Sequence, residues 1–428
     1  MAWGLKCCPE TETLRKDARI IYDESENNLP MISFGKAYEA VMAERWTLAA
    51  ETVRLDDACG RYLAQLVVAD RPLPPYDRAT MDGIAICHRD FRDGHREYRI
   101  QGMARAGDPR HRLSGAGNCI EIATGAVLPE GADTVVRYED LLSSAGAFTI
   151  QSDPSEGQSI HPAGSDADAG SVLLEPGTRI GPSEIAVLAS VGVGKPKVYS
   201  LPAVTLVSTG DELVDVDQKP EPHQIRKSNT RALRAALTEF GIVPEEIHLA
   251  DDPQIIRMEL EKVLSEPGIL LLSGGVSKGK FDYLPEVLEA LGVRKCFHRV
   301  AQRPGKPFWF GVGAGGENLV FSFPGNPVST FLSFHLYFRD WLLKSFGFDN
   351  NGQQARLIAP AENTSGLTQF RLATVENREG TLWAAEVPMN SSGDFLSLAR
   401  AEGFLCIEPT KSGYAKGATV KWIPFKFK

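Results

Sequence analysis

The sequence has little that would tie the protein to a membrane, a structural metal or nucleic acid. No apolar run approaches the roughly 20 residues of a membrane span, and the opening stretch MAWGLKCCPETETLRKD has no apolar signal core. The seven cysteines form no Cys-x-x-Cys pair and no Cys/His zinc spacing, which favours a reducing cytoplasm. A net charge of -9 argues against nucleic acid as the main partner.

The composition is that of a globular protein with several domains. Hydrophobic residues make up 43% and charged residues 24% of the 428 residues, as in folded chains with more than one core. The strand-like and helix-like patterns change along the chain, and these changes predict five units. They are a flexible tail at 1–31, an elongated connector domain at 32–70 and 166–200, a β-rich domain at 71–165, an α/β domain at 201–348 and a small, barrel-like C-terminal β domain at 349–428.

The α/β segment alternates between short apolar strands and amphipathic helices. The pieces AVTLVST, EEIHLA, GILLLSGG and LVFSF are typical of buried strands, and apolar residues recur at helical spacing between them. This order predicts a doubly wound, mostly parallel sheet with helices on both faces. In such a sheet the carboxyl ends of the strands share one edge, and ligands bind there.

Three polar, glycine-rich loops follow strands of this predicted sheet. Glycines let the backbone approach a ligand closely, and Ser and Thr hydroxyls can donate to phosphate-like oxygens. Each loop alone is more often an ordinary turn, but three at one edge favour an anion-binding site. The candidate residues are Thr209, Gly210, Asp211, Glu212, Ser273, Gly274, Gly275, Ser277, Pro324, Gly325, Asn326 and Pro327.

Charged residues near the same edge indicate what the ligand carries. The carboxylates of Asp211, Glu212 and Asp282 suit a hard divalent cation that bridges ligand oxygens. The turn QRPGKP adds the cations Arg303 and Lys306. Alone this turn would be a solvated β-turn, but beside three anion-ready loops we expect contacts to an oxyanion.

The loop PGNP also begins a long helix. Apolar residues recur at helical spacing after it, as far as Leu343. Asn326 suits the N-cap, and Pro327 suits the first helical position, where its missing N–H costs no hydrogen bond. The free amides of such a terminus attract anions. We expect Ser33 and Ser183 to cap two further helices in the connector.

Two stretches of the β-rich domain place acidic or hydroxyl groups beside turns. Asp82 lies in MDGIAI and Thr124 in TGAVLPEGAD, while Asp166 lies in the shorter motif PAGSDADAG. Ordinary turn residues would explain all three positions. The pattern alone therefore leaves their role open.

In their order and spacing, these motifs resemble those of the MoeA family of molybdopterin molybdenumtransferases, which includes the gephyrin E domain. The resemblance covers about 32 to 428, through MDGIAI, TGAVLPEGADTVV, STGDEL, SGGVSKGKFDYLPEVL, RPGKPFWFG and FPGNPVST. It implies a transferase of molybdenum cofactor biosynthesis that inserts molybdate into adenylylated molybdopterin and releases AMP with Mg²⁺ present. It also implies a homodimer whose cleft lies between the α/β domain of one subunit and the β-rich domain of the other.

The resemblance also assigns roles to single positions. Glu212 and Asp282 match positions associated with magnesium and the phosphate group. Asp82 and Thr124 match the side of the cleft that the partner subunit supplies, and Asp166 matches a family acidic position. This would explain why carboxylates occur in two separate domains.

Further polar positions match the part of the family site that holds molybdate. Arg303 and Lys306 match a basic pair thought to hold molybdate or the pterin's phosphate. Arg371 in QFRLATVE and Ser397 in FLSLARAEG match polar positions of the C-terminal domain. Many members have Lys-Pro-Gly where this chain has Arg303-Pro304-Gly305, which replaces a point donor by a planar fork.

Two other functions stay open on the sequence alone. The adenylyltransferase that makes the adenylylated pterin carries a similar Ser-Gly-Gly loop on the same α/β scaffold, although the extra β domains and the PGNP helix favour the molybdenumtransferase. The second alternative is a gephyrin-like scaffold role, but the sequence shows no receptor-binding feature that would support it. Molybdopterin adenylyltransferase and molybdoenzymes are candidate partners. The sequence does not choose between molybdate and tungstate, which are tetrahedral dianions of similar size.

Overall fold

The structure is a computed structural model. It describes residues 31–44, 46, 48–276, 283–348 and 352–426. Residues 1–30 of the predicted tail, and Ser277 and Asp282 of the predicted site, lie outside the described residues. Among the described residues, no helix is both long and apolar enough to cross a membrane.

A six-stranded sheet forms the centre of the α/β domain. Four neighbouring strands are parallel, and the last two each pair antiparallel with the strand before. In sheet order the strands are Glu245–Leu249, Val204–Thr209, Gly268–Ser273, Asn318–Phe323, Trp309–Val312 and Arg294–His298. The prediction of a mostly parallel sheet is confirmed.

Helices cover both faces of this sheet, as predicted. Successive residues of a strand point to opposite faces, so the neighbours Leu271 and Leu272 are buried in two different apolar clusters. The helices are Asn229–Thr238 and Pro327–Ser333 on one face, and Pro253–Leu264 and Leu284–Ala290 on the other. The sheet is therefore doubly wound, with its strand ends left open between the two helical layers.

The long helix after PGNP is present, but its backbone changes along its length. It consists of an α-helix at Pro327–Ser333, a π-helical turn at Phe334–Phe338 and an α-helix at Arg339–Ser345. Asn326 occupies the N-cap position, but its side chain makes no capping hydrogen bond. Its amide instead donates to Ser392 Oγ at 2.8 Å. The predicted N-cap position of Asn326 and the predicted helix start at Pro327 are therefore confirmed, although the Asn326 side chain bonds outside the helix.

The connector domain is built from segments on both sides of the β-rich domain. Its antiparallel pairs are Ala50–Thr52 with Lys197–Tyr199 and Val67–Val68 with Val172–Leu174. The helix Pro182–Ser190 begins after Gly181, so the predicted cap at Ser183 is wrong. The Gly181 N–H donates to the Glu184 carboxylate at 2.8 Å, so an acid in the first turn satisfies this backbone donor.

The β-rich domain contains a second six-stranded sheet. In sheet order its strands are Thr134–Arg137, Gly83–Ile86, Asn118–Ile122, Glu97–Ala104, Ala147–Ile150 and Leu141–Ser144. A helix at His88–Arg92 follows the strand Gly83–Ile86. Outside the sheet, Arg78–Ala79 pairs antiparallel with Ile160–His161. This pair lies close in sequence to two of the predicted acidic residues.

The C-terminal domain is a closed five-stranded barrel, as the barrel-like prediction requires. Its strands are Gln353–Leu357, Thr368–Arg378, Thr381–Glu386, Gly403–Ile407 and Thr419–Pro424. The barrel closes because Thr368–Arg378 pairs with Thr381–Glu386 and also with Gly403–Ile407, the strand at the far end of the sheet order. A short helix at Phe395–Arg400, which the sequence pattern did not predict, packs near the α/β domain.

Two short strands from outside the barrel extend one of its strands into a wider sheet. Val300–Arg303 pairs in parallel with Thr368–Arg378, and Ile32–Ser33 pairs in parallel with Val300–Arg303. Ser33 then caps the helix Phe34–Ala43, as predicted. The basic turn that begins at Arg303 is therefore held at the junction of the α/β domain and the barrel.

Candidate functional site

The carboxyl ends of three adjacent strands open into one cleft of about 400 Å³. The strands end at Thr209, Ser273 and Phe323. The predicted loop residues that line the cleft are Thr209, Gly210, Glu212, Ser273, Gly274, Gly275, Pro324, Gly325, Asn326 and Pro327. The structure thus brings the three loops together at one edge, and what they bind stays a prediction.

Two glycines of these loops hold positions that a side chain would disturb. Gly210 has φ +126°, and a Cβ there would lie 2.5 Å from Glu212 Oε2. Gly275 has φ +70°, and a Cβ there would lie 2.5 Å from Leu284 Cδ1. Both backbones are in the left-handed region that favours glycine. The loops can therefore turn sharply and present backbone amides to the cleft.

One asparagine links the Ser-Gly-Gly loop to the PGNP loop. Asn229 Nδ2 donates to the Gly325 carbonyl at 2.7 Å and to Ser273 Oγ at 2.9 Å, and Thr330 Oγ1 lies 3.3 Å away. Because the Ser273 hydroxyl accepts this bond, its own proton is left to donate elsewhere. Asn229 was not predicted from the sequence, where only its place at the start of a helical pattern marked it.

Two cations on the wall of the cleft were also not predicted. Arg226 and Lys227 line it. The parallel pairing of Leu213–Val214 with Ile225–Arg226 brings them to this position. Lys227 Nζ lies 3.1 Å from Asp215 Oδ1, so that carboxylate partly neutralises its charge. The pairing is between segments that no local pattern connects, which is why sequence inspection missed it.

Two carboxylates belong to the lining of the cleft. Glu212 and Asp251 line it, and Asp211 Oδ1 accepts from the Asp251 N–H at 3.2 Å. Within the described ranges there is no group of three His, Cys, Asp or Glu side chains placed to hold a metal. Magnesium usually binds through one or two carboxylates with phosphate oxygens and water. Glu212 and Asp251 are ligands of the type that such an ion takes, and the predicted ligand Asp282 lies outside the described residues.

The predicted basic pair lies on a firmly held turn beside the cleft. Arg303 and Lys306 flank its corner, and the next residue, Pro307, lines the cleft. Gln302 is fully buried; its amide donates to the Pro304 carbonyl at 3.2 Å and accepts from the Tyr337 hydroxyl. The buried amide therefore fixes the turn that carries both cations.

The two predicted residues of the C-terminal domain are engaged within that domain. The Arg371 guanidinium donates to Glu386 Oε1 at 2.7 Å and to Gln369 Oε1 at 2.8 Å. Ser397 is 2% exposed, and its hydroxyl donates to Asp394 Oδ2 at 2.7 Å. Neither residue is among the described residues that line the cleft. A role in holding molybdate stays a prediction.

In the β-rich domain, Asp82 and Thr124 contact each other directly. Asp82 Oδ1 accepts from the Thr124 N–H at 2.7 Å and from Thr124 Oγ1 at 3.0 Å. These bonds, the backbone one first, lower the pKa of the exposed Asp82 carboxyl. Burial and a hydrogen bond to Glu121, with the Asp82 charge adding to them, raise the pKa of the nearby Tyr138 to about 12. At neutral pH the site therefore presents an ionised Asp82 beside a neutral phenol.

Asp166 belongs to a chain of three polar side chains. His161 Nε2 lies 2.9 Å from Asp166 Oδ1, and His161 Nδ1 lies 3.1 Å from an Arg78 guanidinium nitrogen. A guanidinium nitrogen can only donate, so Nδ1 accepts and the proton of the neutral ring lies on Nε2, towards Asp166. The antiparallel pair of Arg78–Ala79 with Ile160–His161 creates this contact, which sequence spacing did not reveal.

The two sets of predicted residues lie apart within one chain. The described residues that line the cleft all fall between 208 and 327. Asp82, Thr124 and Asp166 are therefore not part of the cleft of their own chain.

Comparison with protein families matches three consecutive segments of the chain. Residues 32–192 match the MoeA N-terminal region, domains I and II. Residues 205–344 match a probable molybdopterin binding domain. Residues 354–425 match the MoeA C-terminal region, domain IV. The matches follow the order of the units described above.

Similar proteins and solved structures match nearly the whole chain. A molybdopterin molybdenumtransferase of Synechocystis sp. is 36% identical over 393 residues, covering 90% of this chain and 98% of the relative. That of Bacillus subtilis is 32% identical, covering 87% and 89%. The crystal structure of a molybdopterin biosynthesis MoeA protein from Pyrococcus horikoshii OT3 is 27% identical with a TM-score of 0.79, covering 92% of this chain and all of the other. From this match in sequence, domain order and fold, the chain belongs to the MoeA family of molybdopterin molybdenumtransferases.

Proposed function

We propose that this protein acts in molybdenum cofactor biosynthesis by inserting molybdate into adenylylated molybdopterin, with release of AMP. The observation that carries the proposal is the cleft at the strand ends, where three glycine-rich loops converge. Supporting it, relatives named molybdopterin molybdenumtransferase align over about nine tenths of the chain.

The loops of the cleft supply the groups that would bind the phosphates of this substrate. The glycine backbones leave room for phosphate oxygens to approach the amides. The Ser273 hydroxyl, which accepts from Asn229, can donate to such an oxygen. Arg226 adds positive charge on the wall. Catalysis would rest largely on positioning the reacting groups, because the protein itself forms few covalent bonds in phosphoryl transfer.

Magnesium would be held by Glu212 and Asp282, and Asp251, which also lines the cleft, is a further candidate ligand. Bound there, it would supply positive charge that stabilises the charge of the pyrophosphate linkage. The cations Arg303 and Lys306, on their fixed turn, would hold the tetrahedral molybdate dianion near the dithiolene sulfurs. The planar guanidinium of Arg303 can donate two parallel hydrogen bonds to one oxyanion.

The residues of the β-rich domain would act in the cleft of the other subunit of a homodimer. Asp82 is ionised and held by Thr124, and it would orient the attacking oxygen or water. Asp166, oriented by His161, would stand beside it. The cytoplasmic location, and contacts with a molybdopterin adenylyltransferase or acceptor molybdoenzymes, stay predictions from the sequence.

The test is AMP release from adenylylated molybdopterin and magnesium, with and without molybdate, while the metal-loaded pterin is followed in parallel. We expect release that depends on molybdate and yields cofactor. ATP consumption with molybdopterin would instead support the adenylyltransferase alternative. Tight pterin binding with no turnover would contradict the proposed activity.

A further inference from the structure

The turn that carries Arg303 and Lys306 is not the solvated β-turn that its sequence alone would suggest. Its corner residues, Pro304 and Gly305, are buried, while Arg303 is exposed and Lys306 is half-buried. An ordinary surface turn has the reverse arrangement, because its corner projects into solvent. This turn is therefore set into the protein at its corner and carries its two cations on the outside.

Three fully buried polar side chains lie under this corner, from Gln302, Ser333 and Tyr337. A Cβ at Gly305 would lie 2.6 Å from Gln302 Nε2 and 3.2 Å from Ser333 Oγ, so the corner rests directly on two of them. Buried polar groups cost free energy unless they are hydrogen-bonded, and apolar side chains of similar size are often at least as stable. Their presence under the turn points to a role beyond packing.

Gln302 joins the turn to the helix that follows PGNP. Its Nε2 donates to the Pro304 carbonyl at 3.2 Å, and its Oε1 accepts from the Tyr337 hydroxyl. Burial holds the pKa of Tyr337 well above its usual range, so the phenol keeps its proton and remains the donor. A chain of hydrogen bonds thus runs from the Tyr337 side chain to the corner of the turn.

Tyr337 lies in an unusual stretch of backbone. It belongs to the π-helical turn Phe334–Phe338, and such turns inside α-helices occur frequently at functional sites. Its ring packs on Phe308, with ring centroids 4.4 Å apart. Phe308 is the second residue after Lys306, so Tyr337 contacts the end of the turn with its ring and, through Gln302, the corner with its hydroxyl.

The two ends of the turn are held by backbone bonds. The Val300 N–H donates to the Lys306 carbonyl at 2.8 Å, and the strand Val300–Arg303 pairs in parallel with a strand of the barrel. These bonds fix where the two cations leave the main chain. The corner between them is held by the bond from Gln302, which Tyr337 orients.

We propose that Tyr337 is a positioning residue of the oxyanion site. Acting through Gln302, it holds the corner of the turn so that Arg303 and Lys306 are in place to bind one tetrahedral dianion. Cations that are already in place bind more tightly, because binding then orders less of the protein. The inference rests on the proposed function, since it takes this turn as the molybdate site.

Calorimetric titration of the full-length protein with molybdate alone tests the inference. Tyr337→Phe keeps the ring and removes the hydroxyl, and it should weaken molybdate binding about tenfold, an effect of the size of one buried hydrogen bond. The affinity for pyrophosphate, which we assign to the glycine-rich loops, should stay unchanged. Tyr98→Phe is the matched control, because Tyr98 is fully buried in the β-rich domain and its hydroxyl has no hydrogen-bond partner among the described residues. It should change neither affinity.

A double variant separates positioning from stability. Tyr337→Phe leaves Gln302 Oε1 without its donor in the core, so the melting temperature should fall. Adding Gln302→Met replaces the amide by an apolar side chain of similar size and should recover part of the melting temperature. Molybdate affinity should stay low, because the Pro304 carbonyl has lost its donor. In turnover, both variants should raise the KM for molybdate about tenfold and leave kcat unchanged.

The outcomes separate this inference from the proposed function. If Arg303→Ala abolishes molybdate binding and Tyr337→Phe binds molybdate as tightly as wild type, the positioning role alone is overturned. Recovery of molybdate affinity together with the melting temperature in the double variant would also overturn it. If the wild type binds no molybdate, or Arg303→Ala binds it unchanged, the turn is not the molybdate site and the inference fails with that assignment.

Discussion

The α/β domain and the β-rich domain hold their polar groups in different ways. In the α/β domain, three loops converge on one cleft, and Asn229 bonds two of them together. In the β-rich domain, Asp82 and Asp166 are each oriented by one neighbour but remain exposed. The first arrangement is a cleft whose polar groups all come from one domain. The second is suited to act on a ligand that another surface presents.

Removal of the Asp82 charge should give the largest effect. Asp82→Asn keeps the shape and can still accept from Thr124, but it loses the ionised carboxylate. We expect AMP release to fall about 100-fold or more with little change in melting temperature, because the side chain is exposed. Asp153→Asn, another exposed acid of the same domain, is the control and should retain full activity. Wild-type turnover by Asp82→Asn would remove this residue from the mechanism.

The carboxylate of the α/β cleft should respond differently. Glu212→Gln removes a proposed magnesium ligand that lines the cleft. Loss of a residue that only hydrogen-bonds to a metal ligand typically weakens metal binding about tenfold or more. Loss of a ligand itself should cost at least as much, so the magnesium concentration for half-maximal AMP release should rise at least about tenfold. Titration of magnesium at fixed substrate measures this. An unchanged magnesium requirement would contradict the ligand assignment.

Asn229 should matter through the loops that it joins. Asn229→Ala loses the bonds to Ser273 and Gly325, and we expect pyrophosphate to bind about tenfold more weakly. Because Asn229 would act partly through the Ser273 hydroxyl, the effects of Asn229→Ala and Ser273→Ala should not add in the double variant. Calorimetry on the four proteins measures this coupling. Strictly additive effects would show that Asn229 does not position Ser273.

Thr124 should give the smallest effect, visible as a change in pH dependence. Its two hydrogen bonds lower the pKa of Asp82, so the carboxylate stays ionised to lower pH than usual. Thr124→Val removes the hydroxyl bond and keeps the backbone bond, and the pKa of Asp82 should rise towards its ordinary value. The acidic limb of the pH–rate profile should then move to higher pH. Thr124→Ser restores a hydroxyl and should restore the limb, whereas an unmoved limb in Thr124→Val would exclude this role for the hydroxyl.

Much of the fold could be read from local sequence patterns. The run GILLLSGG predicts both a buried strand and the loop after it, because apolar periodicity and glycine are local signals. Long-range pairings leave no such signal. The contact of His161 with Arg78 and the joining of Val300–Arg303 to the barrel arise between distant segments. Side-chain choices were also missed, since Asn326 donates to Ser392 instead of capping its helix.

The same limit applies to the candidate site. Its loops were predicted because glycine, serine and proline mark turns after strands. Asn229, Arg226 and Asp251 were not, because their place at the cleft depends on how separate segments pack. Only the resemblance to a family connected Asp82 with this cleft.

The most direct test mixes Asp82→Asn and Glu212→Gln and measures AMP release at a magnesium concentration too low for the Glu212→Gln variant alone to turn over. If each active site combines the α/β cleft of one subunit with the β-rich domain of the other, a mixed dimer contains one intact site. Unfolding and refolding an equal mixture should then restore about a quarter of wild-type AMP release, because half of the dimers are mixed and each has one working site. If mixed dimers form, as native mass spectrometry can show, and activity stays at the level of the separate variants, the shared site is contradicted.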